Sequence, residues 1–168
     1  MKAIVVYESY WGNTASVARA IAAGLGEGAT AMSTSEAAGE ALAGTDLIVA
    51  GSPIIAFQLP TEKTRADMAA KPDKKAPAPP DLSHPAMRTW LETVPPGNGR
   101  VKAAAFETGF KLSPGNSAAT ILKILERRGC VPIAKKQRFL VKTGYGPMKE
   151  GELDRARAWG AELAKSLG

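Results

Sequence analysis

Residues 8–14 read E-S-Y-W-G-N-T and join two segments of different periodicity. The preceding residues 2–7 (K-A-I-V-V-Y) form a short apolar run, which predicts a buried strand. The following residues predict a helix, because Val17, Ala18, Ile21, Ala22 and Leu25 recur at helical spacing. The stretch 8–14 therefore connects the carboxyl end of a strand to the amino end of a helix.

A loop in this position is suited to binding an anion. Free backbone N–H groups and the positive end of the helix dipole point outward there. Ser9, Asn13 and Thr14 add neutral donors, and residues 8–14 contain no Lys or Arg. This favours a phosphate on a larger, mostly neutral ligand over a nucleoside triphosphate. An ordinary helix without a ligand, capped by Asn13 or Thr14, fits the same residues.

Other phosphate-binding or phosphorylated sites fit poorly. The string G-x-x-x-x-G-K-[ST] of nucleoside-triphosphate loops does not occur. A dinucleotide-binding loop needs G-x-G-x-x-G directly after the strand, where this chain has Gly12 alone. A receiver domain needs an acidic pair after the first strand and an Asp after the third. Glu8 and then Gly51-Ser52 occupy those places.

The composition is that of a globular protein with one domain, 1–168. Of its 168 residues, 45% are hydrophobic and 23% are charged. No apolar run approaches a membrane span, and residue 1 leads directly into a strand without a signal-peptide pattern. We therefore expect a cytoplasmic protein that does not bind membranes. Cys130 is the only cysteine and His84 the only histidine, so we expect neither a disulfide nor a metal site, and Cys130 is interpreted as a core residue.

The net charge of +6 is concentrated in one segment. Between Lys123 and Lys142 lie seven Lys and Arg residues and one acidic residue, Glu126. Such a segment could attract an acidic protein or touch nucleic acid. Because no aromatic residues or DNA-binding motif accompany the charges, a solvated helix end and strand rim is favoured. Nucleic acid is not an expected partner.

Further strands and helices alternate along the chain. Strands are predicted at 29–33, 46–50, 101–106, 131–134 and 139–141, and helices at 35–43, 61–70 with Thr61 as cap, 117–125 and the carboxyl end. The last helix is predicted to turn one face inward, formed by Leu153, Ala156, Gly160, Leu163, Ala164 and Leu167.

Seven of the twelve prolines lie between Pro72 and Pro96. Continuous secondary structure is excluded there, but a short helix fits between the prolines, with Met87, Trp90, Leu91 and Val94 on one face. Residues 72–84 are interpreted as an irregular excursion within the domain, placed to cover a ligand or contact a partner.

The alternation predicts an α/β fold with a parallel sheet covered on both faces. Ligands of such sheets bind at the carboxyl ends of the strands. The loops 8–14, 52–59 and 107–117 meet there. They offer phosphate donors, apolar walls, and a mixture of N–H groups and small polar side chains, which together suit a ring with a phosphate tail.

With these three loops the chain resembles the flavodoxin family over nearly its whole length. Y-E-S-Y-W-G-N-T is similar to the family's FMN-phosphate loop, and V-A-G-S-P and A-A-A-F-E-T-G are similar to the strands and loops beside the isoalloxazine. The tail T-G-Y-G-P-M-K-E-G-E-L-D-R-A-R-A-W-G is similar to that of a stand-alone flavodoxin-like subgroup. The resemblance implies a flavodoxin-like three-layer α/β/α sandwich, with a five-stranded parallel sheet in the order 2-1-3-4-5.

The resemblance also implies an FMN site. The phosphate would be held by Ser9, Gly12, Asn13 and Thr14, and by the backbone of Tyr10 and Trp11. One side of the ring would be flanked by Pro53, Ile54, Ile55, Ala56 and Phe57. The other side would be flanked by Glu107, Thr108, Gly109 and Phe110.

Three features depart from the family pattern. Trp11 stands where the family usually has Thr, which removes a hydroxyl worth about 1 to 2 kcal/mol from the phosphate shell. Ile54 and Ile55 replace polar or aromatic residues, so Phe57 or Tyr10 would supply any stacking, and residues 52–59 lack the Gly that the family uses beside flavin N5. Flavodoxins are typically acidic, whereas this chain carries +6, which favours acidic partners.

The implied function is an FMN-binding electron-transfer protein that shuttles electrons between a reductase and an acceptor. It requires no catalytic acid, base or nucleophile, because the flavin carries the chemistry. Two other functions remain open. One is an interaction or regulatory module with weak or lost FMN binding, and the other is an NAD(P)H-dependent FMN or quinone reductase.

Overall fold

The computed structural model describes residues 1–167 as a parallel sheet with helices on both faces. The strands are β1 (Ala3–Tyr7), β2 (Ala29–Ser33), β3 (Leu47–Pro53), β4 (Lys102–Gly109), β5 (Val131–Pro132) and β6 (Gln137–Leu140). The helices are α1 (Asn13–Leu25), α2 (Glu62–Ala70), α3 (Met87–Thr93), α4 (Ser117–Arg127) and α5 (Glu152–Lys165). The strand order is β2-β1-β3-β4-β5, which confirms the predicted topology.

The fifth position of the sheet is filled by two short strands. β5 pairs with the start of β4 up to Ala103↔Pro132, and β6 pairs with its end from Phe106↔Gln137. Residues 133–136 bulge between these pairs, opposite only two residues of β4. The predicted interruption of the last strand is thus confirmed, but it lies two residues earlier than the basic residues 135–138 suggested.

Alternate residues of the buried strands serve two separate cores. In β1, Ala3 and Val5 pack against α1 and α5. Ile4 and Val6 face α3 and α4 on the other side of the sheet. The three-layer α/β/α arrangement is therefore confirmed. Cys130 lies in the second core as predicted, and its burial raises the pKa of its thiol.

The two short helices follow the sequence predictions. The hydroxyl of Thr61 accepts a hydrogen bond from the Thr64 N–H at 3.1 Å and caps α2. α3 turns Met87, Trp90 and Leu91 inward, and the Trp90 indole donates to the Ala37 carbonyl. Within residues 1–167 we find no helix that combines the length and the apolar character needed to cross a membrane.

Three details of the predicted fold are wrong. β3 extends to Pro53 because Ser52↔Glu107 and Pro53↔Thr108 continue its pairing with β4, and β4 extends to Gly109 because Gly109 pairs with Leu140 of β6. The helix predicted at 35–43 is only a single 3-10 turn, Gly39–Leu42, since Gly39 enters it at a positive φ of 55°.

The inward face of α5 is the third correction. Leu153 lies in the first turn of α5 and is 41% exposed, whereas the face predicted to be apolar is completed by Trp159. The Trp159 ring packs near Phe139 of β6, with centroids 6.1 Å apart. A tryptophan flanked by Ala and Gly was therefore the better marker of the buried face.

Helices α1 and α5 cross closely because each contributes a glycine. A Cβ added to Gly160 would lie 2.2 Å from the Ile21 carbonyl oxygen, and one added to Gly24 would lie 1.9 Å from the Arg157 carbonyl oxygen. Both contacts are with backbone, which cannot move aside without separating the helices. The crossing also buries Ile21 and Leu25 between the helices and the sheet.

We expect Gly160→Ala to lower the free energy of unfolding by about 3 kcal/mol, because overpacking against backbone is poorly relieved. Urea denaturation followed by circular dichroism measures this change. Gly144→Ala is the matched control, since a Cβ at Gly144 meets nothing within 4 Å. Equal stabilities of the two variants would contradict the close crossing.

Candidate cofactor site

The loop between β1 and α1 presents open backbone donors. Gly12 is the N-cap of α1, with φ at 90°, and no side chain caps the helix, so neither Asn13 nor Thr14 has the predicted capping role. The Ser9 hydroxyl accepts from the Gly12 N–H at 3.1 Å. The amide N–H groups of Tyr10, Trp11, Asn13 and Thr14 have no hydrogen-bond acceptor within residues 1–167. Four such amides at a helix start are suited to binding an anion.

The two polar side chains at the start of α1 contact neighbouring segments. Thr14 is buried, and its hydroxyl lies 2.8 Å from the hydroxyl of Thr108 at the end of β4. The Asn13 amide lies against Gly146, where an added Cβ would come within 2.4 Å of its oxygen. Both side chains therefore fix the loop between the ends of β4 and the chain segment that precedes α5.

A buried carboxylate lies directly beneath this loop. Glu8 is fully buried and accepts hydrogen bonds from the Arg65 guanidinium at 2.9 Å, the Met87 N–H at 3.0 Å and the Ser52 hydroxyl at 3.3 Å. The Tyr10 hydroxyl donates to the same carboxylate. Burial, and then the neighbouring Glu8 charge, raise the pKa of Tyr10 above its usual value. The loop is thus anchored from below by a charged pair.

This network is not evident from the sequence. A charged residue immediately after an apolar strand was a usable signal for Glu8. No local pattern marked Arg65, because α2 is otherwise exposed and polar.

The proline-rich residues 72–84 fold back over the loop, and we call them the strap. The His84 ring nitrogen Nε2 lies 2.8 Å from the Ser9 carbonyl oxygen, and the Asp81 N–H donates to the Tyr10 carbonyl at 2.9 Å. Arg65 donates to the carbonyls of Leu82 and His84. The same arginine therefore holds both the loop and the strap, which lies at the sheet edge predicted for it.

Trp11 joins the strap to the rest of the site. Its indole N–H donates to the Ala78 carbonyl at 3.0 Å. Its ring meets Tyr145 edge-on, with centroids 4.8 Å apart, and the Tyr145 hydroxyl donates to the Asp73 carboxylate. The Trp11 side chain, which stands in place of the expected Thr hydroxyl, thus forms a wall beside the open amides together with Tyr145 and the strap.

A cavity of about 750 Å³ lies between the strap and the carboxyl ends of the strands. Of the residues predicted to bind the cofactor, those that line this cavity are Trp11, Ile54, Ile55, Ala56 and Phe110. Ser9, Tyr10 and Gly12 line a smaller, more polar cavity of about 490 Å³ on the other flank of the loop. The large cavity is suited to an apolar planar group.

The other predicted residues have supporting positions. Pro53, Thr108 and Gly109 belong to the paired ends of β3 and β4. Phe57 is 66% exposed at the tip of its turn. Glu107 is buried, and its carboxylate accepts from Arg138 at 2.8 Å and from the Ala118 N–H at 2.9 Å, at the start of α4.

Residues 55–58 form a tight hairpin with an unusual backbone. Ile55 and Gln58 exchange two backbone hydrogen bonds of 3.1 Å. Between them Ala56 and Phe57 have positive φ angles of 48° and 66°. Two-residue hairpin turns of this kind normally use Asn and Gly, because a Cβ is disfavoured at positive φ. The wall of the cavity therefore contains a strained turn.

Arg138 fixes the loop after β4, which contributes Phe110 to the wall of the cavity. Its guanidinium donates to the carbonyls of Phe110, Ser113 and Gly115 at 3.1, 2.7 and 3.0 Å, while it pairs with Glu107. One arginine of the basic segment thus fixes the loop after β4. It was not predicted, because only the folded chain brings β6 beside that loop.

Comparisons with solved structures place this geometry in a known fold. An archaeal flavodoxin aligns with a TM-score of 0.69, 21% identity and coverage of 99% of each chain. Oxidised flavodoxin 1 from Bacillus cereus aligns with a TM-score of 0.66, 19% identity and coverage of 98% of each chain. The chain has a flavodoxin-like fold.

A WrbA-like flavodoxin protein from Agrobacterium tumefaciens has the same fold, with a TM-score of 0.63, 20% identity and coverage of 99% of this chain and 96% of that one. No protein-family model matches the chain, and no curated protein sequence matches it. In this chain Trp11 connects the open amides to the apolar cavity, because it contributes one of the amides and also lines the cavity.

We expect Ala56→Gly to stabilise the protein by about 1 kcal/mol, since glycine relieves the strain of positive φ. Ala69→Gly, at an exposed position within α2, is the matched control and should destabilise by about 1 kcal/mol. Urea denaturation of both variants measures the sign of each change in the free energy of unfolding. A loss of stability in both would contradict the strained turn.

We expect the stabilisation by Tyr10 to depend on pH. The folded protein holds the Tyr10 proton more tightly than the unfolded chain, so this contribution is complete below about pH 10 and declines above it. Near pH 7, Tyr10→Phe should lower the free energy of unfolding by about 1 kcal/mol, because Glu8 loses a donor.

By about pH 11 the difference between wild type and Tyr10→Phe should have nearly vanished, since one pH unit corresponds to about 1.4 kcal/mol. Urea denaturation of both proteins across this range measures the effect. A difference that stays constant with pH would show that the Tyr10 pKa is not raised.

Proposed function

We propose that the protein binds FMN at the β1–α1 loop and the adjoining cavity, and transfers electrons between a reductase and an acceptor. The observation that carries this proposal is that four open amides lie at the start of α1 and that one of them belongs to Trp11, which also lines an apolar cavity of about 750 Å³. These features match the two chemically different parts of FMN, a phosphate and a planar ring.

The phosphate would be held without a cation in the loop. The amides of Tyr10, Trp11, Asn13 and Thr14 and the dipole of α1 supply the positive potential. Thr14 adds a hydroxyl that its hydrogen bond to Thr108 already holds in place. The supporting pair of Glu8 and Arg65 keeps these donors in position before a ligand arrives.

The ring would lie between the Ile54–Ala56 turn and the side chains of Trp11, Phe110 and Tyr145. Bound FMN supplies the redox chemistry, while these apolar residues exclude water from it. Each side chain assigned here binds, orients or shields the cofactor, and none has to act as an acid, a base or a nucleophile.

Flavin titration tests the cofactor assignment. We expect FMN to bind at least about 100-fold more tightly than riboflavin, because charge-assisted hydrogen bonds to the phosphate are worth several kcal/mol together. Quenching of flavin fluorescence measures both affinities. Equal affinities, or no quenching by either flavin, would remove the assignment and favour an interaction module with this fold.

We expect Thr14→Val to weaken FMN binding about 5- to 30-fold, which corresponds to one lost hydrogen bond of about 1 to 2 kcal/mol. The affinity for riboflavin should change less. Thr30→Val is the matched control, because Thr30 is exposed on β2 away from the loop, and its affinity for FMN should equal that of wild type. An unchanged FMN affinity in Thr14→Val would show that the phosphate lies elsewhere.

Turnover tests the carrier role. We expect the purified protein with bound FMN to show no steady oxidation of NADH or NADPH with a quinone as acceptor. Sustained turnover at the pure protein would favour a reductase instead.

A further inference from the structure

Three of the five large apolar side chains that are exposed within residues 1–167 lie beside the proposed ring site. Phe57 is 66% exposed, Phe110 is 45% exposed and Leu112 is 91% exposed. We call these three residues the apolar rim. Large apolar side chains gathered at one place on a surface mark interaction sites.

The apolar rim is formed by two loops that contact each other. A Cβ added to Gly115 would lie 2.7 Å from the Phe57 carbonyl oxygen, so the turn 55–58 and the loop 110–116 are in contact. Arg138 holds the second loop through three carbonyls, including that of Phe110. The surface is therefore built on fixed backbone.

Three exposed lysines lie on or near the loops of the apolar rim. Lys111 stands between Phe110 and Leu112 in the sequence, and Lys135 and Lys136 lie in the bulge between β5 and β6. The Lys136 ammonium donates to the Asn116 side chain at the end of the same loop. The segments 53–61, 108–117 and 127–149 contain no Asp or Glu. This face therefore has a positive potential, because these segments contain no carboxylate that would offset the lysines.

We propose that the apolar rim, with Lys111, Lys135 and Lys136, is the docking surface for an acidic protein that exchanges electrons with the bound flavin. This inference rests on the proposed function. One electron passes from the reduced centre of the partner to FMN, so the partner is oxidised and the flavin is reduced. Docking here brings the partner against Phe57 and Phe110, beside the cavity proposed for the ring.

A protein fits this surface better than a nucleic acid. An apolar centre within a charged border is the usual composition of a protein interface. Nucleic-acid sites instead distribute cations along the whole contact, where they pair with the phosphates. Here the most exposed side chain of the centre is the aliphatic Leu112.

The test uses a plant-type [2Fe–2S] ferredoxin, a small acidic electron carrier, as the probe. Its binding to the full chain is measured by isothermal titration calorimetry, with and without added FMN, at low and at physiological ionic strength. Stopped-flow absorbance measures electron transfer from the reduced ferredoxin to the FMN-loaded protein. We expect binding with or without FMN, and both affinity and transfer rate should fall as salt rises.

Two charge-reversal variants separate the docking surface from net charge. Lys111→Glu/Lys136→Glu changes the proposed surface, and Arg100→Glu/Lys165→Glu changes the opposite edge of the sheet, where both residues are exposed. Each pair removes the same four units of charge. We expect the first to weaken ferredoxin binding at least about 10-fold and the second less than about 3-fold.

Leu112→Ser tests the apolar contribution and should weaken binding about 3- to 10-fold without changing FMN affinity, since Leu112 does not line the cavity. Equal effects of the two charge-reversal pairs would overturn the proposed surface. Tighter binding of basic cytochrome c, or of a DNA oligonucleotide, than of ferredoxin would overturn the proposed partner, as would no ferredoxin binding. If ferredoxin binds at the proposed surface but FMN does not bind to the protein, the result would contradict the proposed cofactor and not the docking surface.

Discussion

The buried ion pair between Glu8 and Arg65 is the constraint on which the site depends. A carboxylate at zero exposure is tolerated only if its charge and lone pairs are satisfied, and here the guanidinium, two hydroxyls and the Met87 N–H satisfy them. Removing one partner from such a pair typically costs about 3 to 5 kcal/mol. The pair therefore fixes the relative positions of β1, α2 and the amino end of α3, which lie far apart in sequence.

Most of the fold was predictable because hydrophobic periodicity is a local property. The apolar runs of β1 and β3 and the helical spacing in α1 each needed only a short window of sequence. The failures lie where tertiary contact decides. Residues 35–43 have helical composition, but the positive φ of Gly39 interrupts the predicted helix and leaves only the single turn Gly39–Leu42. β4 continues to Gly109 because β3 pairs with it up to Thr108 and β6 pairs with Gly109 itself, which no window of sequence reveals.

The site was predictable where its chemistry lies in one segment. In the loop 8–14, the small donors and the position before a helix can be recognised from consecutive residues. The strap, Arg65 and Arg138 instead form contacts between residues that lie far apart in the sequence. Long polar side chains that donate to backbone carbonyls produce no periodic pattern in the sequence, because the fold alone determines which carbonyls they reach. Resemblance to a family gave positions for Glu107 and Phe57, but their different burial emerged only from the packing of neighbouring loops.

Trp11 shows how one substitution can change both the affinity and the shape of such a site. In the proposed FMN site, the hydroxyl absent at this position would remove one phosphate donor, worth about 1 to 2 kcal/mol. In return the indole donates to Ala78 of the strap and packs on Tyr145, whose hydroxyl reaches Asp73. These contacts close the cavity on the strap side with apolar surface. If FMN binds as proposed, this closure would compensate for the donor lost at the phosphate, because a better covered ring gains more from leaving water.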